Sequence, residues 1–266
     1  MATAKKEVAA AGGNALALPE DLQLPPGAGL EAADADSFAI PFLLILQKTS
    51  PKADPDHEAY VEGAKVGMLL DSVADEFFDP ADEEAQIIPV YYRRAFIEWQ
   101  TRDNGGGFVA EHAVEDAVGM KWERNDVGED ILPNGNAIVD TRYHYVILLR
   151  GKIRKPMVIT MTSTQVKYSK RLNSDMETLL TAEGLQATFQ LKYSIKTVGE
   201  SNKHGTWRSW EIRRAGKVES QEELDAAVKF YKAIKSGSVK EATDSLDTAD
   251  NTTESSSDNG DKDPEF

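Results

Sequence analysis

The feature that most constrains the fold is a run of alternating side chains from Val139 to Arg150. The odd-numbered residues share one face and the even-numbered residues share the other, which is the spacing of a β-strand. A basic turn, Gly151–Lys155, follows, and the β-branched and apolar run Pro156–Met161 then returns. The sequence therefore predicts a long antiparallel hairpin at the centre of the chain.

Three further segments have the composition of β-strands. Ile87–Trp99 is rich in β-branched and aromatic residues, and its Pro89 predicts an edge or a bulge because proline cannot donate to a sheet ladder. Phe189–Lys196 alternates apolar and polar side chains, and Thr206–Arg214 follows it after a glycine-containing loop. These two segments predict a second hairpin.

Helical spacing of apolar residues occurs twice. One helix is predicted between Ser163 or Thr164 and about Thr181, and a second is predicted from Ser220 to Lys235 behind a Ser-x-x-Glu capping box. The first helix falls between the third and fourth of the five strands.

That order predicts a mainly β fold of the α+β class, with an OB-fold-like five-stranded barrel, extra N-terminal elements and a C-terminal helix. Residues 1–37 are rich in Ala, Gly, Pro and Asp and are expected to form a flexible arm. Residues 38–235 are the expected nucleic-acid-binding domain, within which 38–80 either complete the barrel or form a separate layer. Residues 236–266 lose apolar periodicity and are expected to be a disordered acidic tail.

Positive charge is concentrated in the middle of an acidic chain. The stretch Thr141–Lys217 holds fifteen basic and five acidic residues, a net charge of +10 in a chain whose total is −15. Such a division favours a surface that attracts a polyanion over charge that serves solubility alone. The rings interleaved with these cations are Tyr143, Tyr145, Tyr168, Phe189, Tyr193, Trp207 and Trp210.

Cations that follow a phosphate backbone and rings that stack on bases are typical of single-stranded nucleic-acid binding. The two hairpins carry most of these cations, and an OB barrel binds its ligand with the corresponding elements. The aromatic strand Ile87–Trp99 is expected to contribute one of its faces. The residues predicted to contact DNA are Tyr92, Arg93, Arg94, Trp99, Arg142, Arg150, Lys152, Arg154, Lys155, Lys192, Lys196, Lys203, Trp207 and Arg213.

Signals for other chemistry are weak. The chain has no Cys, and its four His residues match no metal-ligand spacing. The glycine run at 105–107 lacks the Lys-Ser/Thr of a phosphate-binding loop. We therefore expect no cofactor, no metal, no catalytic residues and no enzymatic activity. With no secretory signal and no apolar run of membrane-spanning length, we expect a cytoplasmic protein.

The acidic C-terminal segment ends on an aromatic residue. Residues 238–266 carry nine acidic and two basic residues, and the chain closes with Asp261-Lys-Asp-Pro-Glu-Phe266. An apolar anchor beside a carboxylate and flanking acids is a compact ligand for a basic pocket on a partner. The residues predicted to bind a partner are Asp261, Asp263, Glu265 and Phe266.

An OB-like core followed by an acidic tail ending in Phe resembles the single-stranded-DNA-binding proteins of T7-like phages. The closing Asp-Pro-Glu-Phe is also similar to the ending of bacterial single-stranded-DNA-binding proteins, and Ile88-Pro-Val-Tyr-Tyr-Arg-Arg resembles phage proteins encoded near replication genes. The resemblance implies a role in phage DNA replication or recombination, in the host cytoplasm. It also implies that the tail, through Phe266, recruits the phage DNA polymerase and the helicase/primase.

Two other functions are compatible with the same sequence. Carboxylates such as Glu98, Asp103 and Glu111 could serve a metal-dependent nuclease or another DNA-processing enzyme. Alternatively, an acidic protein could bind another protein and never contact DNA. Arms at both ends of the chain would permit a homodimer.

Overall fold

The computed structural model describes residues 28–29, 39–101, 105–126, 128–202 and 205–242. Within them the chain forms thirteen β-strands and three α-helices. In chain order these are β1 (Ala39–Ile40), β2 (Leu43–Ile45), β3 (Leu69–Asp71), β4 (Glu76–Phe78), β5 (Ala85–Trp99), β6 (Phe108–Ala113), α1 (Val114–Ala117), β7 (Glu123–Arg124), β8 (Asp130–Ile131), β9 (Ala137–Arg150), β10 (Ile153–Met161), α2 (Val166–Glu183), β11 (Leu191–Asn202), β12 (Gly205–Lys217), α3 (Gln221–Ser236) and β13 (Lys240–Glu241).

The centre of the fold is a curled antiparallel half-barrel of six strands in the order β12-β11-β5-β9-β8-β7. β5 and β9 pair along their whole lengths, from Ala85 opposite Arg150 to Trp99 opposite Ala137. Two more strands join the edges of this pair, β10 beside β9 and β6 beside the far end of β5. The predicted hairpins are present as β9–β10 and β11–β12, and the mainly β class is confirmed.

A β-bulge in β5 decides which way its aromatic and basic side chains point. Ile88 and Val90 face one side of the sheet, and the register with β9 then shifts between Pro89 and Tyr91. Because the bulge adds one residue, Tyr91 faces the same side as Val90, and every later residue changes face. Of the edge or bulge that Pro89 predicts, the bulge is the observed one, and it sets the direction of Arg93 and Arg94.

The two long helices pack on opposite faces of the sheet. α2 buries Leu172, Met176 and Leu179 against the face that carries Ile87 and Val146, among other side chains. It ends at Gly184, whose φ of 63° is the left-handed conformation common at helix C-termini.

On the other face, α3 buries Ala227 and Phe230 against Tyr145 and Ile147. Its N-terminus has the predicted cap, since the hydroxyl of Ser220 accepts a hydrogen bond from the backbone N–H of Glu223.

The N-terminal strands form a separate layer. β2, β3 and β4 make their own three-stranded sheet, which buries Leu43, Leu69 and Phe78 in the core beneath α2. On one side this layer meets the β11–β12 hairpin, where the side-chain N–H of Gln47 donates to the backbone carbonyl of Arg208. Of the two alternatives that the sequence left open for residues 38–80, the separate layer is the observed one.

The prediction of a closed five-stranded OB barrel is wrong. Such a barrel requires its third strand, here β10, to close against its fifth, here β12, and these strands are not neighbours in the described sheet. The N-terminal segment occupies the outer edge of β10, where Val158 donates its backbone N–H to Pro41 and Phe42 forms a parallel bridge to Val158. The inserted layer therefore holds the half-barrel open.

The described chain continues past the C-terminal boundary expected at residue 235. β13 pairs in parallel with β1, which brings the two ends of the folded region together. None of the described helices is long and apolar enough to cross a membrane. The predicted arm, apart from residues 28–29, and the predicted tail beyond residue 242 lie outside the described residues.

Candidate nucleic-acid interface

One region of the half-barrel brings three aromatic rings and two guanidinium groups together on one face. We call this region the platform and define it as Tyr92, Arg94, Phe96, Trp122 and Arg142. The bulge in β5 turns Tyr92, Arg94 and Phe96 to one face, and Arg142 lies beside them on β9. Trp122 belongs to the connection after β6. All five side chains are half-buried, so each is held by packing and still reaches solvent.

Contacts link the platform into one continuous surface. Arg142 donates a hydrogen bond to the hydroxyl of Tyr92 over 3.2 Å. The guanidinium of Arg94 lies 5.0 Å from the ring centroid of Phe96, within cation–π range. The rings of Phe96 and Trp122 are 5.8 Å apart and tilted by 35°. Three rings and two cations thus form one connected surface on one side of the sheet.

Asp140 holds the two platform arginines together. Arg94 donates to it from Nε and Nη2 over 2.8 and 2.9 Å, and Arg142 donates to it over 3.1 and 3.0 Å. Partial burial opposes ionisation of Asp140, but these hydrogen bonds outweigh the burial and keep its pKa below the ordinary value. Two guanidinium groups around one carboxylate leave one net positive charge on the platform.

A buried histidine packs beside the platform on the same face of the sheet. His144 lies directly opposite Tyr92 in the register of β5 and β9, with the ring centroids 5.1 Å apart, and its Nε2 is 2.8 Å from the hydroxyl of Ser169 on α2. Complete burial, reinforced by the nearby charge of Arg142, lowers the pKa of His144 to about 3. The imidazole is therefore neutral at physiological pH and adds no charge.

Arg93, the predicted site residue next to Arg94, points to the opposite face. Its guanidinium lies 4.2 Å from the ring centroid of Tyr143 and donates to the hydroxyl of Tyr145 over 3.1 Å. It also forms ion pairs with Glu111 and, over 3.0 Å, with Glu241 of β13. We call these five residues the Arg93 cluster. Two carboxylates around one guanidinium give it a net negative charge.

Several hairpin cations are neutralised by acids of neighbouring elements. Lys155 forms an ion pair with Asp71 of β3. Arg154 and Lys192 lie 3.3 and 3.6 Å from opposite oxygens of Glu223 at the start of α3.

Arg150 is held in the same way. It lies 3.7 Å from both Glu76 and Glu83, and its guanidinium is 4.5 Å from the ring centroid of Phe78. The N-terminal layer and the loop after it therefore place carboxylates and the ring of Phe78 at the end of the sheet where the sequence predicts a cationic groove.

The other predicted DNA contacts are dispersed. Lys152 and Lys196 are exposed and form no ion pair with a described residue, and Arg213 is exposed and pairs with Glu211 of its own strand. The indole N–H of Trp207 lies 3.0 Å from both Glu200 and Ser209. Trp99 packs edge-on against Phe108 at the far end of β5.

Lys203 lies outside the described residues, as do Asp261, Asp263, Glu265 and Phe266 of the predicted partner-binding tail.

Three residues of this region escaped the sequence prediction. Phe96 lies in the aromatic run of β5, but its face could not be assigned, because Pro89 predicted either an edge or a bulge. Trp122 stood in a connection that showed no periodicity. Asp140 was visible on the even-numbered face of its strand, but its role depends on the register between β5 and β9.

The carboxylates named for a nuclease do not converge. Glu111 lies opposite Ile97 and belongs to the Arg93 cluster, whereas Glu98 follows Ile97 and so faces the other side of the sheet. Buried Glu98 is held by His112, Asn134 and Asn136, whose hydrogen bonds lower its pKa.

Asp103, the third candidate, lies outside the described residues, and among the described residues no group of three or more His, Asp or Glu could hold a metal ion.

A comparison with protein families gives one finding. The family model described as Pam3 phage gp34-like protein matches residues 10–240. No curated protein and no solved structure matches the chain. The family match covers the platform, both hairpins and both long helices.

Proposed function

The chain belongs to the family of Pam3 phage gp34-like proteins, and we propose that this phage protein binds single-stranded DNA with little sequence preference. The observation that carries the proposal is the platform, with three rings and two arginines on one face of the half-barrel. Unpaired bases can stack on the rings, and phosphates can contact the guanidinium groups. Paired bases are stacked on each other, so the same rings offer little to a duplex.

Stacking supplies more of the expected affinity than charge does. Base–aromatic stacking contributes about 1–3 kcal/mol per base. By contrast, one net positive charge on the platform and the neutralised cations of the hairpins give only modest electrostatic attraction. If Arg94 and Arg142 are the two phosphate contacts, the logarithm of the binding constant should fall with the logarithm of salt concentration with a slope of roughly −1.4.

The proposal is tested by fluorescence anisotropy with a labelled poly-dT oligonucleotide, titrated with the full chain at several salt concentrations. We expect saturable binding, a shallow salt slope, and competition by unlabelled single strands of any sequence but not by a duplex of equal length. Equal affinity for the duplex, or no binding at low salt, would contradict it.

We further propose that the acidic segment beyond Ala242 recruits phage replication proteins, such as a polymerase or helicase. Its acidic residues and the aromatic ring of Phe266 beside them support this role. Truncation after Ala242 preserves the pairing of β13 with β1 and should leave poly-dT affinity equal or higher while abolishing capture of the partner. Loss of poly-dT binding on truncation would contradict the separation of the two roles.

A further inference from the structure

A cleft of about 440 Å³ lies between α2 and the β11–β12 hairpin, and none of its lining residues belongs to the platform. Its floor is apolar, formed by the buried side chains of Leu172 and Trp210 and the half-buried Ile212. The volume falls within the range of small-ligand sites. A floor of this kind favours a flat, partly apolar group over a hydrated ion.

The rim of the cleft carries three arginines with different surroundings. Arg214 donates to Asp175 over 2.9 Å. Arg213, with 74% of its side chain exposed, pairs with Glu211 of its own strand. Arg171 of α2 is exposed and forms no ion pair with a described residue. Arg171 is therefore the rim arginine that has no carboxylate partner among the described residues, and the largely exposed Arg213 can reach the same incoming anion.

A hydrogen-bonded carboxylate and a tyrosine fix the shape of the cleft. Asp175 accepts a hydrogen bond over 2.8 Å from the hydroxyl of Tyr193 as well as the one from Arg214, which ties α2 to both strands of the hairpin. The ring of Tyr168 lies beside Arg171, with its centroid 5.9 Å from the guanidinium carbon. The walls are thus held in place before any ligand enters.

We propose that this cleft binds a nucleoside monophosphate unit, either a free nucleotide or the terminal nucleotide of a strand. The base lies over Trp210 and Ile212, and the phosphate contacts Arg171 and Arg213, because guanidinium groups match phosphate oxygens in geometry and charge. Inorganic phosphate alone would make no contact with the apolar floor, and a nucleoside alone would form no ion pair with the arginines. The site is separate from the platform and does not depend on it.

Isothermal titration calorimetry of the full chain with dTMP, thymidine and inorganic phosphate tests the proposal. We expect dTMP to bind at least about tenfold more tightly than either fragment, since one charged hydrogen bond corresponds to about a tenfold change in affinity. Arg171→Ala and Arg213→Ala should each weaken dTMP binding by about tenfold. Arg94→Gln, a platform variant, should leave dTMP binding unchanged.

Competition identifies the source of the nucleotide. Displacement of dTMP by an oligonucleotide with a 5′-phosphate, and not by one with a 5′-hydroxyl, assigns the cleft to strand ends; displacement by neither assigns it to free nucleotides. Absence of dTMP binding, or dTMP binding that is unchanged in both Arg171→Ala and Arg213→Ala, overturns the proposal. Because poly-dT binding is measured separately with Arg94→Gln, failure of this site is distinguishable from failure of the platform.

Discussion

Arg93 and Arg94 are neighbours in the sequence but lie in opposite electrostatic surroundings. Arg94 shares one carboxylate, Asp140, with a second arginine on an accessible face that carries three rings. Arg93 faces two carboxylates and two tyrosines, and one of its carboxylates, Glu241, comes from the strand that joins the ends of the folded region. The platform has a surplus of positive charge and the Arg93 cluster has a deficit.

The difference teaches that a cation count along a sequence is a poor guide to a binding surface. Both arginines belong to the same basic and aromatic run. Strand alternation places them on opposite faces, and the bulge before them decides which face each one takes. Guanidinium groups matched by equal or greater negative charge stabilise the fold. Guanidinium groups that outnumber the carboxylates they contact keep a net positive charge, which can attract an anionic ligand.

The largest expected effect is on DNA affinity. Replacing both Phe96 and Trp122 with alanine removes two stacking rings, and poly-dT affinity should fall by about a hundredfold, from about 1–3 kcal/mol per ring. Fluorescence anisotropy measures it, at a temperature where circular dichroism shows the variant to be folded. Phe108→Ala is the matched control, since this exposed ring lies outside the platform. If Phe108→Ala lost as much poly-dT affinity as the double variant, the loss would come from a changed fold and not from lost stacking of bases on the platform.

The next effect is on stability. Arg93→Gln leaves Glu111 and Glu241 without their cation, and we expect the free energy of unfolding to fall by about 2 kcal/mol, less than for a fully buried pair because Glu111 is 40% exposed. Urea denaturation measures this change. Arg94→Gln should cost less than about 1 kcal/mol, because Arg94 is more exposed than Arg93 and Asp140 keeps Arg142 as a partner. A reversed order would refute the structural role of the Arg93 cluster.

A smaller effect is expected from His144, the buried neighbour of Tyr92. Its pKa is depressed in the folded state, so the unfolded chain binds more protons as the pH falls below 6.5, and stability decreases with falling pH. Between pH 6.5 and 5.5 this histidine should account for a loss of about 1 kcal/mol. Denaturation curves of wild type and His144→Asn should differ in pH dependence by that amount. Parallel pH profiles would show that His144 is not held neutral.

The smallest effect should be a gain. Asp140→Asn removes the carboxylate that neutralises Arg94 and Arg142, so poly-dT affinity should rise by about threefold and the salt dependence should steepen. Anisotropy titrations at two salt concentrations detect both changes. A fall in affinity would mean that Asp140 is needed to orient the arginines more than it competes with phosphate.

Much of the fold could be predicted from the sequence because its signals are local. Alternation identified β9, composition identified β5, Pro89 indicated an edge or a bulge near the start of β5, and the Ser220 capping box and Gly184 marked helix ends. The open half-barrel could not be predicted, since it depends on where the short strands after residue 38 pack. These strands cover the outer edge of β10 through contacts between residues that are far apart in the sequence. Such contacts leave no periodic pattern in the sequence.

The candidate site was predictable only in part, for a related reason. Tyr92, Arg94 and Arg142 were named from composition, but composition cannot assign a face or a partner. Asp71, Glu76 and Glu223 lie far along the chain from the cations that they neutralise. Only the three-dimensional packing shows which cations have a carboxylate partner.

The central claim is that the face bearing Arg94, and not the face bearing Arg93, binds single-stranded DNA. The most direct test is the poly-dT affinity of Arg94→Gln and Arg93→Gln measured side by side under conditions where both are folded. We expect a loss of about tenfold for Arg94→Gln, as for one charged hydrogen bond, and a change of less than about twofold for Arg93→Gln. A larger loss for Arg93→Gln, or no loss for Arg94→Gln, would contradict it.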